Sequence, residues 1–264
     1  MGVPNPEPPV QRGMVDTHCH LFLIEDEPSL VVEAARAAGV ERVICVGVDP
    51  DTSARSLELA DSIAGVFATA GMHPHDASLL DPAAGARIEE LLHDPRVVAV
   101  GECGLDFFRM RSPVEDQIRA LKLHIALSNE SGKPMVVHVR DAWPEVLRAL
   151  DEGSAERVVI HCFSGDARIA RECAERGYWI SFAGNVTYPK NEHLRQAARA
   201  VDISRVLVET DAPFLAPQKL RGRDNAPANV PHTIEEIARV RDEDVARVAE
   251  ATATNAETAF GGLR

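Results

Sequence analysis

A single (β/α)8 TIM barrel of the α/β class is the fold that this sequence predicts. Eight short β-branched or apolar runs recur along the 264 residues, with helical segments between them. The length suits a (β/α)8 barrel, which uses ~250 residues as one domain. Most of the runs lack polar alternation, as expected of parallel strands covered on both faces.

In chain order, strands are expected over 14–17, 42–48, 66–70, 97–101, 135–139, 157–160, 178–182 and 205–209. Residues 28–39 form a helix opened by Pro28 and ended by Gly39. Ser112-Pro113 opens a long helix to Ser131, and 166–177 is a third helix with a glycine stop. After the eighth strand, 212–232 carries four prolines and few helical signals. It exceeds the ~12–15 residues beyond which loops are usually functional. Helices resume over 233–240 and 243–260. An open doubly wound sheet is the competing fold, but no Gly-x-Gly-x-x-Gly turn follows the first strand. Residues 1–13, with four prolines, are expected to form a flexible tail ahead of one barrel domain at 14–264.

The net charge of −13 argues against nonspecific duplex binding or an anionic membrane as the main partner. A locally cationic site for nucleic-acid chemistry remains compatible with it. No run approaches 18 apolar residues, so no membrane span is expected. Five irregularly spaced cysteines do not form a disulfide framework, which points to a reduced, cytoplasmic chain.

Imidazoles and carboxylates cluster at the carboxyl ends of these strands. The first offers His18 and His20, the fourth Glu102, the fifth His138, the sixth His161 and the eighth Asp211. Residues two apart in extended chain share a side, so His18 and His20 can grip one ion. A lone strand histidine usually packs or caps, and a lone buried carboxylate can be satisfied by backbone amides. Six such groups converging on the catalytic face, with no lysine or arginine at the strand ends, require a cation. The donor set suits zinc, manganese, nickel or cobalt, with magnesium open where carboxylates and a substrate phosphate dominate. Six ligands fit two divalent metal ions sharing a bridging carboxylate. Cys19, Cys103 and Cys162 each follow a proposed ligand and should face the helices; Cys45 and Cys173 read as core. No thiolate ligand is expected.

Together these segments resemble the TatD family of metal-dependent hydrolases, a branch of the amidohydrolase superfamily, over 14–260. The matching residues are Asp16-Thr17-His18-Cys19-His20-Leu21, Gly71-Met72-His73-Pro74-His75 and Gly101-Glu102-Cys103-Gly104-Leu105-Asp106. They continue with His138-Val139-Arg140, His161-Cys162-Phe163-Ser164-Gly165 and Glu209-Thr210-Asp211-Ala212-Pro213-Phe214-Leu215. The resemblance implies a TIM barrel and a metal-dependent deoxyribonuclease, often acting from the 3′ end. It implies one ion on His18, His20 and Asp211, a second on His138 and His161, and Glu102 as the bridge. His73 and Arg140 would bind the scissile phosphate, with a structural turn before Pro74 as the other role open to His73. Phe107 and Phe108 would either stack on a base or pack in the core. No lysine ends the fourth strand, so the carbamylated-lysine bridge of dihydroorotase-like enzymes is unavailable. One departure is Ala226-Pro227, where the family usually has Glu-Pro.

The expected chemistry is phosphodiester hydrolysis by metal-activated water, with Asp211 accepting the proton. Asp211 and Glu102 are thus the expected catalytic residues, with DNA or another phosphodiester as substrate and a monomeric chain. Lys219, Arg221 and Arg223 could attract an anionic strand or simply be solvated. A carboxylic ester, lactone or amide, such as aminoacyl-tRNA, is the alternative substrate, because the same donors serve attack at carbon. From another class, a noncatalytic barrel that binds a partner would be expected to have lost ligands.

Overall fold

The computed structural model describes residues 13–263; the tail expected at 1–13 falls, but for Gly13, outside the described residues. Eight parallel strands alternate with helices in sequence order. The strands are β1 (Met14–Cys19), β2 (Val40–Val46), β3 (Val66–Ala70), β4 (Val97–Asp106), β5 (Met135–Arg140), β6 (Val158–Ile160), β7 (Trp179–Phe182) and β8 (Val206–Val208). The helices are α1 (Pro28–Ala37), α2 (Pro50–Ser62), α3 (Pro82–Leu91), α4 (Val114–Ser131), α5 (Trp143–Glu152), α6 (Ala167–Glu175), α7 (Glu192–Ala200), α8 (Val230–Arg241) and α9 (Val245–Phe260). Proline in the first turn opens α1, α2 and α3, where its missing N–H costs nothing. Asp49, Asp81, Asp166 and Asp244 cap helix N-termini by accepting backbone N–H groups.

Side chains divide into two layers. Val43, Cys45, Ala68, Val137, Val139, Ile160 and Ile180 pack outward against Val32, Leu121, Ile125 and other helix residues. Val15, Ile44, Phe67, Val136, Val159, Trp179 and Leu207 fill the barrel interior, joined by Ala256, Ala259, Phe260 and Leu263. Residues of α9 and the chain after it therefore pack against the interior layer, which leaves the carboxyl ends of the strands for chemistry.

Two strands break their own alternation below the mouth. On β1, Val15 and Thr17 face inward, and Thr17 Oγ1 lies 3.2 Å from Ser181 Oγ across the barrel. Strict alternation would turn Cys19 inward as well, yet it lies in the outer layer. The register shift against β2 between Asp16 and Cys19 makes the change, and it faces His18 into the barrel. On β4, Val100 is outward, and a register shift between Val100 and Cys103 brings Glu102 in while Cys103 stays out. Gly101 and Gly104 sit there at φ +128 and +140. A Cβ on Gly101 would strike the Val136 carbonyl, and one on Gly104 the His138 carbonyl. The sequence suggests that β4 stops at residue 101; it runs to Asp106, because these glycines are bulge residues rather than terminators.

The seam between β8 and β1 closes by side chains and short bridges. Thr17 Oγ1 donates to the Val208 carbonyl at 2.9 Å, and Asp211 N–H donates to the His18 carbonyl at 2.9 Å. His20 N–H reaches the Ala212 carbonyl at 2.8 Å. Asp16 accepts both the N–H and the hydroxyl of Thr210, at 2.9 and 2.5 Å. Burial pushes the Asp16 carboxyl up to about 8 despite these donors. Three residues of the proposed site, His18, His20 and Asp211, are held at this seam.

Candidate metal centre and active site

Glu102 is the hub of the site. One carboxylate oxygen, Oε2, lies 3.3 Å from His18 Nε2 and 4.0 Å from His20 Nε2. The other, Oε1, lies 3.0 Å from His161 Nε2, 3.1 Å from His138 Nδ1 and 3.3 Å from His73 Nε2. Asp211 Oδ1 completes the first side, 3.6 Å from His20 Nε2 and 3.8 Å from His18 Nε2. The six residues expected as ligands thus converge at one mouth, and the two oxygens of Glu102 divide them into two groups.

Hydrogen bonds on the far side of two rings, His20 and His161, assign their tautomers. His20 Nδ1–H donates to the Val46 carbonyl at 2.8 Å, which leaves Nε2 as a bare lone pair. His161 Nδ1–H donates to Glu209 Oε1 at 3.1 Å, again leaving Nε2 bare. Both nitrogens of His18 are buried with no hydrogen-bond partner. His138 Nε2 lies 3.4 Å from Asp106 Oδ2, outside hydrogen-bond geometry, with Nδ1 turned to Glu102. Lone pairs facing carboxylate oxygens at about 3–4 Å repel unless a proton or a cation lies between them. The donor set therefore fits divalent ions. Buried triplets that bring ligand atoms within 4.8 Å of one another include His18–His20–Glu102 and His18–His161–Glu209, with half-buried His73 and His138 forming a third around Glu102.

Burial alone would raise the Glu102 carboxyl, but His161, His73 and His138 hold it well below the usual carboxylate range. Asp211 is likewise held down, against its burial, by His20, His161 and His18. Burial and the stacked His161 ring, 3.8 Å away between centroids, push His18 down. His161 is raised in spite of its burial because two carboxylates, Glu102 and Glu209, flank it. The carboxylates are thus ionised and His18 resists taking a proton, whereas on His20 and His138 burial opposes positive charge but Asp211, Glu102 and Asp106 favour it.

His73 differs from the other imidazoles. Its Nδ1 accepts the His75 N–H at 3.1 Å, so the ring proton of the neutral form sits on Nε2, facing Glu102. That tautomer makes His73 a donor rather than an Nε2 ligand. The turn before Pro74 is thus what directs the His73 ring at Glu102. Its backbone is steadied by His124 of α4, whose Nε2 accepts the Met72 N–H at 2.9 Å.

Arg140 lines the same cleft of about 720 Å3, its guanidinium 3.9 Å above the ring of Phe108. Phe107 is part-buried against the core and Phe108 is exposed, so the two phenylalanines separate into one packing and one surface residue. The basic loop is largely engaged within the protein: Lys219 pairs with Glu235 at 3.1 Å and Arg221 stacks on Tyr188. At Ala226, the neighbouring Asn225 anchors the loop by donating to the Thr210 carbonyl at 2.8 Å. Cys19 and Cys103 lie in the outer layer as expected, but Cys162 lines the cleft, because it follows the end of β6 at φ +43, where strand alternation no longer applies.

Two residues that the sequence analysis names only within the matching segments, with no role of their own, support the site. Glu209 orients His161 and also accepts the Cys162 N–H at 2.8 Å. Asp106 binds His75 Nε2 at 2.8 Å and accepts the N–H groups of Phe108 and Arg109. Both continue the inward parity, Glu209 two residues after Leu207 and Asp106 two after Gly104, a signal the sequence carries beside their place in the matching segments.

A parallel barrel whose mouth gathers five imidazoles around a shared carboxylate has the architecture of a metal-dependent hydrolase. Residues 15–261 match the model of the TatD related DNase family, and the chain belongs to that family. A metal-dependent hydrolase of Bacillus subtilis named YabD is 36% identical over 251 residues, covering 94% of this chain and 98% of that protein. The 3′-5′ ssDNA/RNA exonuclease TatD of Klebsiella pneumoniae is 37% identical over 239 residues, covering 88% and 90%. The crystal structure of YJJV, a TatD homolog from Escherichia coli, matches with a TM-score of 0.89 at 27% identity, covering 94% of this chain and 98% of that one.

Proposed function

We infer that this chain is a metal-dependent nuclease that hydrolyses phosphodiester bonds at the 3′ end of single-stranded nucleic acid. The observation that carries the reading is Glu102, each of whose oxygens faces its own set of ring nitrogens. His18, His20 and Asp211 would hold one divalent ion, His138 and His161 a second, and Glu102 would bridge; zinc, manganese, magnesium, nickel and cobalt all suit these donors. The pair would supply Lewis-acid chemistry, neutralising charge on the phosphate and acidifying water.

The chain's own groups do the rest. Asp211, ionised and reaching the cleft, accepts the proton of the attacking water at Oδ1. His73 donates from Nε2, and the Arg140 guanidinium adds fixed positive charge at the cleft wall, both toward nonbridging phosphate oxygens. Glu209 fixes the His161 tautomer and Val46 that of His20, so neither ring must reorient during turnover. The reading includes a single catalytic domain at 14–264 acting as a monomer in the reducing cytoplasm. All five cysteines are unpaired, and among the described residues no helix is long and apolar enough to cross a membrane.

The test is release of nucleotides from a 3′-labelled single-stranded oligonucleotide, with and without chelator, beside lactone and aminoacyl-tRNA substrates. Metal-dependent loss of the label is the expected result. Turnover of a carbon ester with the oligonucleotide left intact would overturn the reading.

A further inference from the structure

The mouth of the barrel is unevenly furnished. Of the eight phenylalanines, two are largely exposed, Phe108 at 60% and Phe214 at 52%, and both stand at the catalytic face. A single exposed apolar side chain is ordinary on a protein surface, but an aromatic ring that also lines the cleft offers a face on which a base can stack. Phe214 lines the cleft and lies edge-on to the ring of His20, 6.2 Å between centroids. Its backbone is firmly held. Phe214 N–H donates to the Asp211 carbonyl at 2.8 Å, and Asn225 N–H donates to the Pro213 carbonyl at 2.9 Å. Beyond it, the Tyr188 hydroxyl donates to the Ala216 carbonyl at 2.9 Å. The neighbouring Leu215 carbonyl packs where a Cβ on Gly184 would sit. This is a rigid backbone presenting a bare aromatic face.

Phe214 follows β8, and in the strand order β8 stands opposite β4. Around β4 and β5 the cleft is lined by Arg109, Arg111 and Arg140, none within 4 Å of a carboxylate among the described residues. On the arginine side the exposed ring, Phe108, is already covered by the Arg140 guanidinium, whereas among the described residues no cation stacks on Phe214 on the other side, in a protein of charge −13. A polymer end has that same asymmetry. The retained strand carries further phosphates, whereas the terminal nucleotide carries none beyond the scissile one and offers only a sugar and a base.

We propose that Phe214 is the stacking platform for the base of the terminal, departing nucleotide, while the arginine side holds the phosphates of the strand that stays. This deepens the nuclease reading and rests on it. Stacking tolerates any base, so the enzyme should trim ends with little sequence preference but should require that a base be present.

The experiment compares the metal-loaded wild type with Phe214→Ala and Phe214→Trp on two oligonucleotides, one intact and one whose 3′-terminal nucleotide lacks its base. In the wild type, loss of the base should lower kcat/KM by roughly 5- to 150-fold. Phe214→Ala should lose the same factor on the intact strand and little more on the abasic one. Phe214→Trp should restore the preference for the base. Metal content and melting temperature of each variant show that the site itself is intact, and the tryptophan variant serves should the alanine variant fail to fold. If the two losses multiply, or if the tryptophan variant shows no preference, Phe214 is not the platform. Failure of the wild type to cut either strand would overturn the nuclease reading along with this one.

Discussion

The two sides of the metal centre are built differently. His138, His161 and Glu209 arrive by regular alternation: each lies two residues beyond an interior side chain, after Val136, Val159 and Leu207. His18 and Glu102 arrive because β1 and β4 break their alternation at register shifts just below the mouth. A regular strand delivers a ligand wherever the pattern places it. A bulged strand can crowd donors more closely, and it is the irregular side that supplies the adjacent pair His18 and His20 and the central carboxylate.

That contrast can be broken most directly at Gly101. Gly101→Ala would force a Cβ into the Val136 carbonyl at φ +128, and should cost roughly 3 kcal/mol or more through strain and overpacking. Thermal melts and metal binding should fall together, because the bulge that turns Glu102 inward is lost. An unchanged melting temperature would mean that the bulge does not depend on this glycine.

A milder prediction concerns the loop after β3. His124 is buried and must be neutral at Nε2 to accept the Met72 N–H, and burial pushes its pKa down to about 4 from 6.5. Between these values the unfolded chain binds the proton and the folded one does not. The contribution is complete above pH 6.5 and is lost as the pH falls toward 4, reaching about 3 kcal/mol. Denaturant titrations at pH 7 and 4.5 should show a larger acid loss for wild type than for His124→Gln; equal losses would contradict this.

The regular side should yield the smallest effect. Glu209→Gln keeps the shape but weakens the hydrogen bond that fixes His161, and should weaken metal affinity by about 10- to 100-fold without unfolding the barrel. Calorimetric titration with manganese measures it, and unchanged affinity would remove Glu209 from the supporting shell.

Much of this was legible in the amino-acid order. The eight strands and their parallel sequence follow from apolar runs and spacers, and the convergence of six potential ligands from donor types at strand ends. The extent of β4 was hidden, because glycine reads as a stop until a close backbone approach explains it. The roles of Glu209 and Asp106 depend on partners far away in sequence, His161 and His75, which no local pattern identifies. Cys162 was misplaced because alternation was extended past the last paired residue of β6. The basic loop read as free charge, but α8 supplies Glu235 and the segment after β7 supplies Tyr188.

The central claim is that Glu102 joins two ions held by His18, His20, Asp211, His138 and His161. Electron paramagnetic resonance of the manganese-loaded protein addresses it directly. Wild type should bind two ions per chain and show an exchange-coupled pair, and Glu102→Gln should lose the coupling. A single uncoupled ion in wild type, or coupling that survives in Glu102→Gln, would contradict the account.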